Sequence, residues 1–553
     1  MSLLETVSPL LGKLSNWTGL CLLRKFLRKT WWQMIRILGR PKRLNPRGRT
    51  GPKLKIAEVL TSESEDTHDT CCCDLQDKVF DRVRETINLE AVQQYCTELR
   101  KSLQPSGDTD GFVVIDLATQ MCGSFKISWK VVFRDDVSWL LKVPSAGVPD
   151  RFIEAHAEAL RSEVYTMRLL RRETTIPIPE VFAFSDTCSN KLGVPFILMQ
   201  FIEGKPLYEF WEDKRASEDF MTMRRTRCLN DIAAAMVQLD KFTFDKAGAL
   251  KFDETGQPSG IGPMMAVDVD REYWKSHDDN MDDEWTWVIH EPFETERDYY
   301  MADINRLSKP VVYERPENDD WDNGWKGLYD LFFDSLEKIH PDQAKGFVLA
   351  HPDLSSANII VSDEGVVRAS IDRDKAHIVP RTFGNDRFPN WLGEDWTHCE
   401  FEKPRESAET LKYYRSIYVE AIEFHRMDQS KGSAKNRAQF GERDEFSKEN
   451  TRTRKSLIYA CLHRMGIETI FNIKHQILTK LIDEMITIIE EETGEKIRPL
   501  SEEEESKVPQ QEQNKLFTPK NVLHALGTGQ LRNDHRRYLS LGFEGLLRRC
   551  GES

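Results

Sequence analysis

The stretch AHPDLSSANIIVSDEGVVRASIDRD, residues 350–374, sets His351, Asp353 and Asn358 at fixed intervals ahead of a β-branched run and delivers Asp372 after a second one. Residues 359–361 and 366–371 read as short strands, and Ser362-Asp363-Glu364-Gly365 is turn material between them. Paired as a hairpin, they put Asn358 at the end where Asp372 leaves, while Asp353 sits in the loop that feeds the first strand. Two carboxylates and an amide oxygen then converge on one small volume. Such a set suits a hard divalent cation like Mg²⁺, whose remaining ligands are water and phosphate oxygens. Phosphoryl transfer needs that geometry plus a carboxylate to orient the acceptor hydroxyl and take its proton. Each residue alone would be read as a loop cap or turn former; the hairpin between them is what points to chemistry.

A site of this kind needs a second part that holds a nucleotide, and the preceding chain has the pattern for one. From about Gly111 it turns strand-like: SFKISWKVVF and VSWLLKVP flank the turn Arg134-Asp135-Asp136 as a predicted antiparallel hairpin. FIEAHAEALRSEVYTMRLLRR reads as a helix, and PIPEVFAFSD and VPFILMQFIEG as two more strands. Beyond Pro206 the pattern becomes mostly helical, as in CLNDIAAAMVQLDKF and GWKGLYDLFFDSLEKIH. Near the end, Ile470, Ile473, Ile477, Leu481, Met485 and Ile488 recur three or four apart and predict one core-facing helical stripe.

An Asp, an Asn five residues later and a metal-binding Asp after a hairpin is also the protein-kinase catalytic spacing. The sequence resembles the aminoglycoside phosphotransferase and choline-kinase-like branch of that fold, in its fungal-type form. The resemblance covers roughly Gly111 to Glu420 and rests on HxDxxxxN at 351–358, Ile371-Asp372-Arg373-Asp374, and the run VPRTFGNDRFPNWL. It implies a bilobal protein-kinase-like α+β fold, with a small β-rich N-lobe, a mostly helical C-lobe, and helical extensions at both ends. By resemblance Asp353 is the catalytic base, His351 supports its loop, and Asn358 and Asp372 hold Mg²⁺. Lys142, at a strand end, is the expected phosphate-binding cation, and Glu163 its carboxylate partner. Gly123 and Ser124 lie where the phosphate-covering turn belongs, although Cys122-Gly123-Ser124-Phe125 has one glycine instead of three. Gln200 and Ile202, with Phe201 between them, are candidates for the adenine edge. Arg373 replaces the usual aromatic beside Asp372, and Asp374 reads equally as a carboxylate supporting the metal ligands or as an exposed charge.

Bulk properties bound the rest. With 553 residues, 39% hydrophobic, several structural units are expected: a basic leader and linker (1–70), a helical extension (71–110), the N-lobe (111–205), the C-lobe (206–498), an acidic linker (499–516) and a tail (517–553). The net charge of -14 is uneven: twelve Lys/Arg against Glu5 alone up to Lys53 leave about -25 on the remainder. An acidic body argues against nucleic acid as a partner. The opening MSLLETVSPLLGKLSNWTGLCLLRKFLRKTWWQMIRILGR suits a mitochondrial transit segment or peripheral contact with an anionic membrane, or else a solvated helix docked on the body. Eleven cysteines without paired metal spacing fit reduced thiols in an intracellular, cytoplasmic or mitochondrial setting, with Cys71-Cys72-Cys73 as an alternative lipidation site. No P-loop motif occurs, and the GxGxxG, DFG and APE signatures of a protein kinase are missing.

In DVDREYWKSHDDNMDDEWTWVIHEPFETERDYY, acids alternate with Trp274, Trp285, Trp287, Phe293, Tyr299 and Tyr300. Such a segment either attracts a cationic acceptor in the cleft or packs its aromatics on neighbouring helices. The expectation is an ATP- and Mg²⁺-dependent phosphotransferase acting on a hydroxyl of a small, in one reading cationic, molecule, as a monomer or weak dimer. The rival is a catalytically weak or inactive nucleotide-binding scaffold on the same fold.

Overall fold

In the computed structural model of the chain the described residues are 78–105, 107–213, 215–269, 271–272, 284–307, 319–339, 346–398, 405–432, 444–467, 471–497 and 515–549. The basic opening segment, the cysteine cluster, Trp274, Ile470 and most of the acidic linker lie outside them. Two units divide the chain, Met1–Arg82 and Val83–Ser553, and every element described below belongs to the second.

Helix α1 (Leu89–Leu103) is capped by the Asn88 side chain, which accepts from the Ala91 N–H. Arg100 near its end pairs bidentately with Asp135 at 2.7 Å and lies over the rings of Phe112 and Phe133. The extension is thereby fixed to the turn of the predicted hairpin. A five-stranded antiparallel sheet follows: β1 (Val114–Cys122), β2 (Lys126–Phe133), β3 (Ser138–Pro144), β4 (Val181–Ser185) and β5 (Phe196–Gln200), in the order β1-β2-β3-β5-β4. Asp136 turns the β2–β3 hairpin with φ of 63°, a left-handed position that a short polar side chain tolerates. Helix α2 (Glu154–Glu173) lies between β3 and β4 in sequence and buries Leu160, Val164, Met167 and Leu170.

Past β6 (Lys205–Pro206) the chain forms α3 (Leu207–Trp211) and the long α4 (Glu218–Gln238). A second five-stranded sheet then appears within the expected helical region. It comprises β7 (Thr243–Phe244), β8 (Gly248–Phe252), β9 (Pro258–Gly262), β12 (Phe347–Leu349) and β15 (His377–Pro380). β10 (Met264–Val267) and β11 (Trp287–His290) form a separate two-stranded ribbon. These strands are two to five residues long, too short for alternation to register in a sequence window.

The hairpin of interest is β13 (Ile359–Val361) with β14 (Val367–Ser370), extended by β6 into a three-stranded sheet. The helices α5 (Glu296–Leu307), α6 (Asp319–Ile339), α7 (Ala408–Gly432), α8 (Asp444–Ile467), α9 (Phe471–Thr493), α10 (Pro519–Gly527) and α11 (Asn533–Arg549) complete the molecule. Two apolar cores result. One joins α2, β5, α4, the hairpin and α7. The other joins α5, α6, α8, α9, α10 and α11. The predicted stripe on α9 is buried at Ile473, Ile477, Leu481, Met485 and Ile488.

Candidate active site

Pairing of Ile359 with Ser370 and Ile360 with Ala369 places Asn358 opposite Ile371, as the hairpin argument requires. The Ile371 N–H donates to the Asn358 carbonyl at 2.9 Å, which ties the first strand to the residue before Asp372. Asp372 itself has φ of 62° and a side chain 46% exposed, so its carboxylate stands out of the sheet instead of into the core.

His351 is buried and bridges the loop to this strand. One ring nitrogen, Nδ1, accepts from the Asp353 N–H at 3.2 Å, and Nε2 lies 3.0 Å from the Ile371 carbonyl. Because Nδ1 must accept, Nε2 carries the proton and donates. Burial holds the ring well below the ordinary histidine pKa, with Arg373 and Arg387 adding to the effect, so this neutral tautomer is the stable one. His351 is therefore a strut between Asp353 and Asp372.

Asp353 receives the Asn358 Nδ2–H at 2.9 Å and the Ser355 hydroxyl at 3.2 Å on Oδ2, and the Asn390 Nδ2–H at 2.9 Å on Oδ1. The same Asn358 nitrogen also reaches the Asp353 carbonyl at 3.0 Å. Asn358 thus spends its amide nitrogen inside the loop. Desolvation raises the Asp353 pKa, and the Arg387 guanidinium opposes that rise.

The N-lobe supplies two lysines, one more than the sequence reading assigned. Lys142 on β3 makes a 2.9 Å bond to Asp372 Oδ1 and a longer ion pair of 3.9 Å to Glu163 Oε1. Its neighbour in space, Lys126, binds Glu163 directly and Asp374 at 3.3 Å. Lys126 opens β2 directly after the Cys122–Phe125 turn, which was the available signal for it. Glu163 is shared by both lysines, and Asp374 is an ion-paired carboxylate instead of an exposed charge. Lys142 keeps the Asp372 carboxyl below its usual range. Burial pushes Glu163 up against the pull of Lys126.

Gly123 closes the Cys122–Phe125 turn, its N–H donating to the Lys126 carbonyl at 2.8 Å. The Ser124 carbonyl accepts from the Trp285 indole at 2.9 Å. Phe125 packs edge-on against Trp285 at 5.0 Å and tilted against Trp287 at 5.4 Å, with the Lys375 ammonium 3.4 Å and 3.9 Å from the rings of Phe125 and Trp287. Burial brings the Lys375 pKa down to about 8. The described aromatics of the acidic segment are thus spent on packing: Tyr299 lies tilted and Tyr300 edge-on against Phe383, and Tyr300 is buried in the helical core.

At the strand-to-lobe crossing, the Gln200 N–H is taken by the Glu180 carbonyl at 2.8 Å and the Phe201 N–H by the Ser138 carbonyl at 3.3 Å. Arg373 turns inward. It is fully buried, donates to Ser370 Oγ at 3.2 Å, and among the described residues its Nε and Nη1 find no acceptor. Burial lowers its pKa to about 9. Two residues without an assigned role, Arg387 and Asn390, touch the His351 carbonyl (3.3 Å) and Asp353. Both belong to VPRTFGNDRFPNWL, so that run is what braces the loop. A cavity of about 630 Å³ is lined by Ala159 and Tyr165 of α2, by Leu250 and Phe252, and by Lys375 and His377 just after Asp374.

A β-rich lobe with a Lys–Glu pair, joined to a lobe carrying an HxDxxxxN loop and a hairpin-delivered Asp, defines a protein-kinase-like phosphotransferase domain. Residues 128–383 match the model of the phosphotransferase enzyme family APH, so this part of the chain is similar to that family. Among curated proteins it is similar to "Altered inheritance of mitochondria protein 9, mitochondrial" of Candida glabrata, 23% identical over 51% of this chain and 52% of that protein. The protein of the same name from Debaryomyces hansenii is 29% identical over 27% of this chain and 23% of its own length. The matches therefore span about half or less of those relatives. Among solved structures, Plasmodium vivax ethanolamine kinase is 12% identical with a TM-score of 0.34, covering 76% of this chain and 96% of that one. ADP-bound aminoglycoside phosphotransferase APH(2'')-Ib is 14% identical with a TM-score of 0.33, covering 65% and 98%.

Proposed function

We propose that this chain transfers the γ-phosphoryl group of ATP to a hydroxyl of a small molecule, with Mg²⁺. The observation that carries the reading is the gathering of Asp353, Asn358 and Asp372 at one end of the β13–β14 hairpin beside Lys142. The donor set fits Mg²⁺: one half-exposed carboxylate and one amide oxygen are too few for an all-protein cage and right for an ion that also takes phosphate oxygens and water. Bound there by Asn358 and Asp372, the ion supplies charge neutralisation on the transferring phosphates.

The chain's own groups do the rest. Lys142, now paired with Asp372, is within one side-chain movement of a phosphate, and Glu163 stays as its second anchor. Lys126 holds Glu163 and is itself paired with Asp374. Asp353, fixed by two amides, orients the acceptor hydroxyl and takes its proton; positioning dominates this reaction. The acceptor is a hydroxyl compound; the packed aromatics leave a cationic acceptor with the acidic charge of the body as its support. Screening hydroxyl metabolites for an ATP-dependent mass gain of one phosphoryl group tests the proposal, and no gain with any acceptor despite nucleotide binding counts against it.

The scaffold reading draws on specific features: a one-glycine turn whose Ser124 carbonyl is already capped by Trp285, and an Asp372 already neutralised by Lys142. We further propose mitochondrial residence, supported by the basic opening segment and by the names of the relatives. Imaging fusions with and without residues Met1 to Arg49 tests it: an identical diffuse signal from both contradicts it.

A further inference from the structure

We infer that Asn390 positions the base Asp353 and, with its amide oxygen, selects an acceptor that carries a second hydrogen-bond donor on the carbon next to the reacting hydroxyl. The inference rests on the phosphotransferase reading above. A carboxylate only accepts, so the contact between Asn390 and Asp353 Oδ1 at 2.9 Å must use the amide nitrogen. The amide oxygen then points away from Asp353, on a side chain that is exposed. The residue is not loosely placed: its own N–H donates to the Leu354 carbonyl at 3.0 Å, and the next residue, Trp391, is buried in the core.

Counting lone pairs on Asp353 shows where the acceptor must come. Oδ2 already accepts from Asn358 and Ser355 and is full, whereas among the described residues Oδ1 accepts from Asn390 alone and keeps one place. The reacting hydroxyl therefore donates to Oδ1, which brings it beside the Asn390 amide. A donor on the adjacent carbon, as in a 1,2-diol or an amino alcohol, reaches the outward amide oxygen while the first hydroxyl is on Asp353. A simple alcohol fills one of these two positions and leaves the amide oxygen unmatched.

Steady-state phosphorylation of glycerol against propan-1-ol, and of 2-aminoethanol against ethanol, with Mg²⁺-ATP and the full chain, tests this. In the wild type the two-donor acceptor is expected to exceed its partner in kcat/KM by about tenfold, the worth of one hydrogen bond. Asn390→Ala should bring the ratio to about one, with the KM for ATP unchanged. Asn390→Asp keeps an outward oxygen but loses the N–H on Asp353, so kcat should fall while the preference persists. Equal rates for both members of each pair in the wild type, ATP hydrolysis without transfer to either, or a ratio unmoved in Asn390→Ala would each overturn the inference. Absence of any ATP turnover, with nucleotide still bound, would instead overturn the phosphotransferase reading beneath it. A melting temperature of Asn390→Ala equal to wild type separates these results from a folding defect.

Discussion

Asp353 is held at both oxygens by side-chain amides, and its carboxyl pKa is raised because water is excluded around it. A base acts only when ionised, so the rate must fall as pH drops through that raised value. The acid limb of kcat/KM is thus expected above the ordinary aspartate range. Arg387 opposes the rise, so Arg387→Met should move the limb further up; a pH–rate profile with the limb unmoved or shifted down would contradict this electrostatic account. Arg373 offers the opposite kind of test. A fully buried guanidinium with two unmet N–H groups costs more than it contributes, so Arg373→Met should stabilise the fold by about 1–3 kcal/mol, read as a higher melting temperature. A loss of stability would mean that Arg373 is better paired than its bond to Ser370 indicates.

At the scale of elements, the hairpin that gathers the site depends on its turn. Gly365 has φ of 80°, and a Cβ there would meet the Arg224 carbonyl at 2.7 Å, so Gly365→Ala should cost about 1–3 kcal/mol. The two lysines separate by role. Lys126→Met strips the shared cation from buried Glu163 and Asp374 and should cost about 3–5 kcal/mol, whereas Lys142→Met should weaken nucleotide binding with less effect on melting. Much of this layer was legible in the sequence. The β13–β14 pairing follows from two β-branched runs set against each other by the turn between them, and α2 and α9 follow from periodicity sustained over 20 and 23 residues. The pairings of Lys126 with Glu163 and of Asn390 with Asp353 were not legible, since each joins residues 37 apart in sequence, a separation bridged by tertiary folding. The sheet of β7, β8, β9, β12 and β15 was missed for a different reason: its strands are drawn from segments as far apart as 243 and 380, and each is too short to announce itself.

On the scale of the whole molecule, the terminal helices are core, not appendage. α10 and α11 bury Val522, Leu523, Leu539, Phe543, Leu546 and Leu547, and Gly542 and Gly545 let α11 approach Met485 and Ile488 on α9. At roughly 1.5–3 kcal/mol for each buried apolar side chain, their loss removes on the order of 10 kcal/mol, comparable to the whole stability of a domain. A chain ending at residue 514 should fail to give a cooperative melting transition by circular dichroism. The central claim concerns what this folded body does. Phosphoryl transfer from Mg²⁺-ATP to a hydroxyl acceptor, measured together with nucleotide affinity for the wild type and Asp353→Ala, tests it most directly. The account predicts a phosphorylated product from the wild type, at least a thousandfold less (roughly 4 kcal/mol of barrier) from Asp353→Ala, and similar nucleotide affinity in both. Nucleotide bound equally by both proteins, with product from neither, would contradict it and leave a nucleotide-binding scaffold.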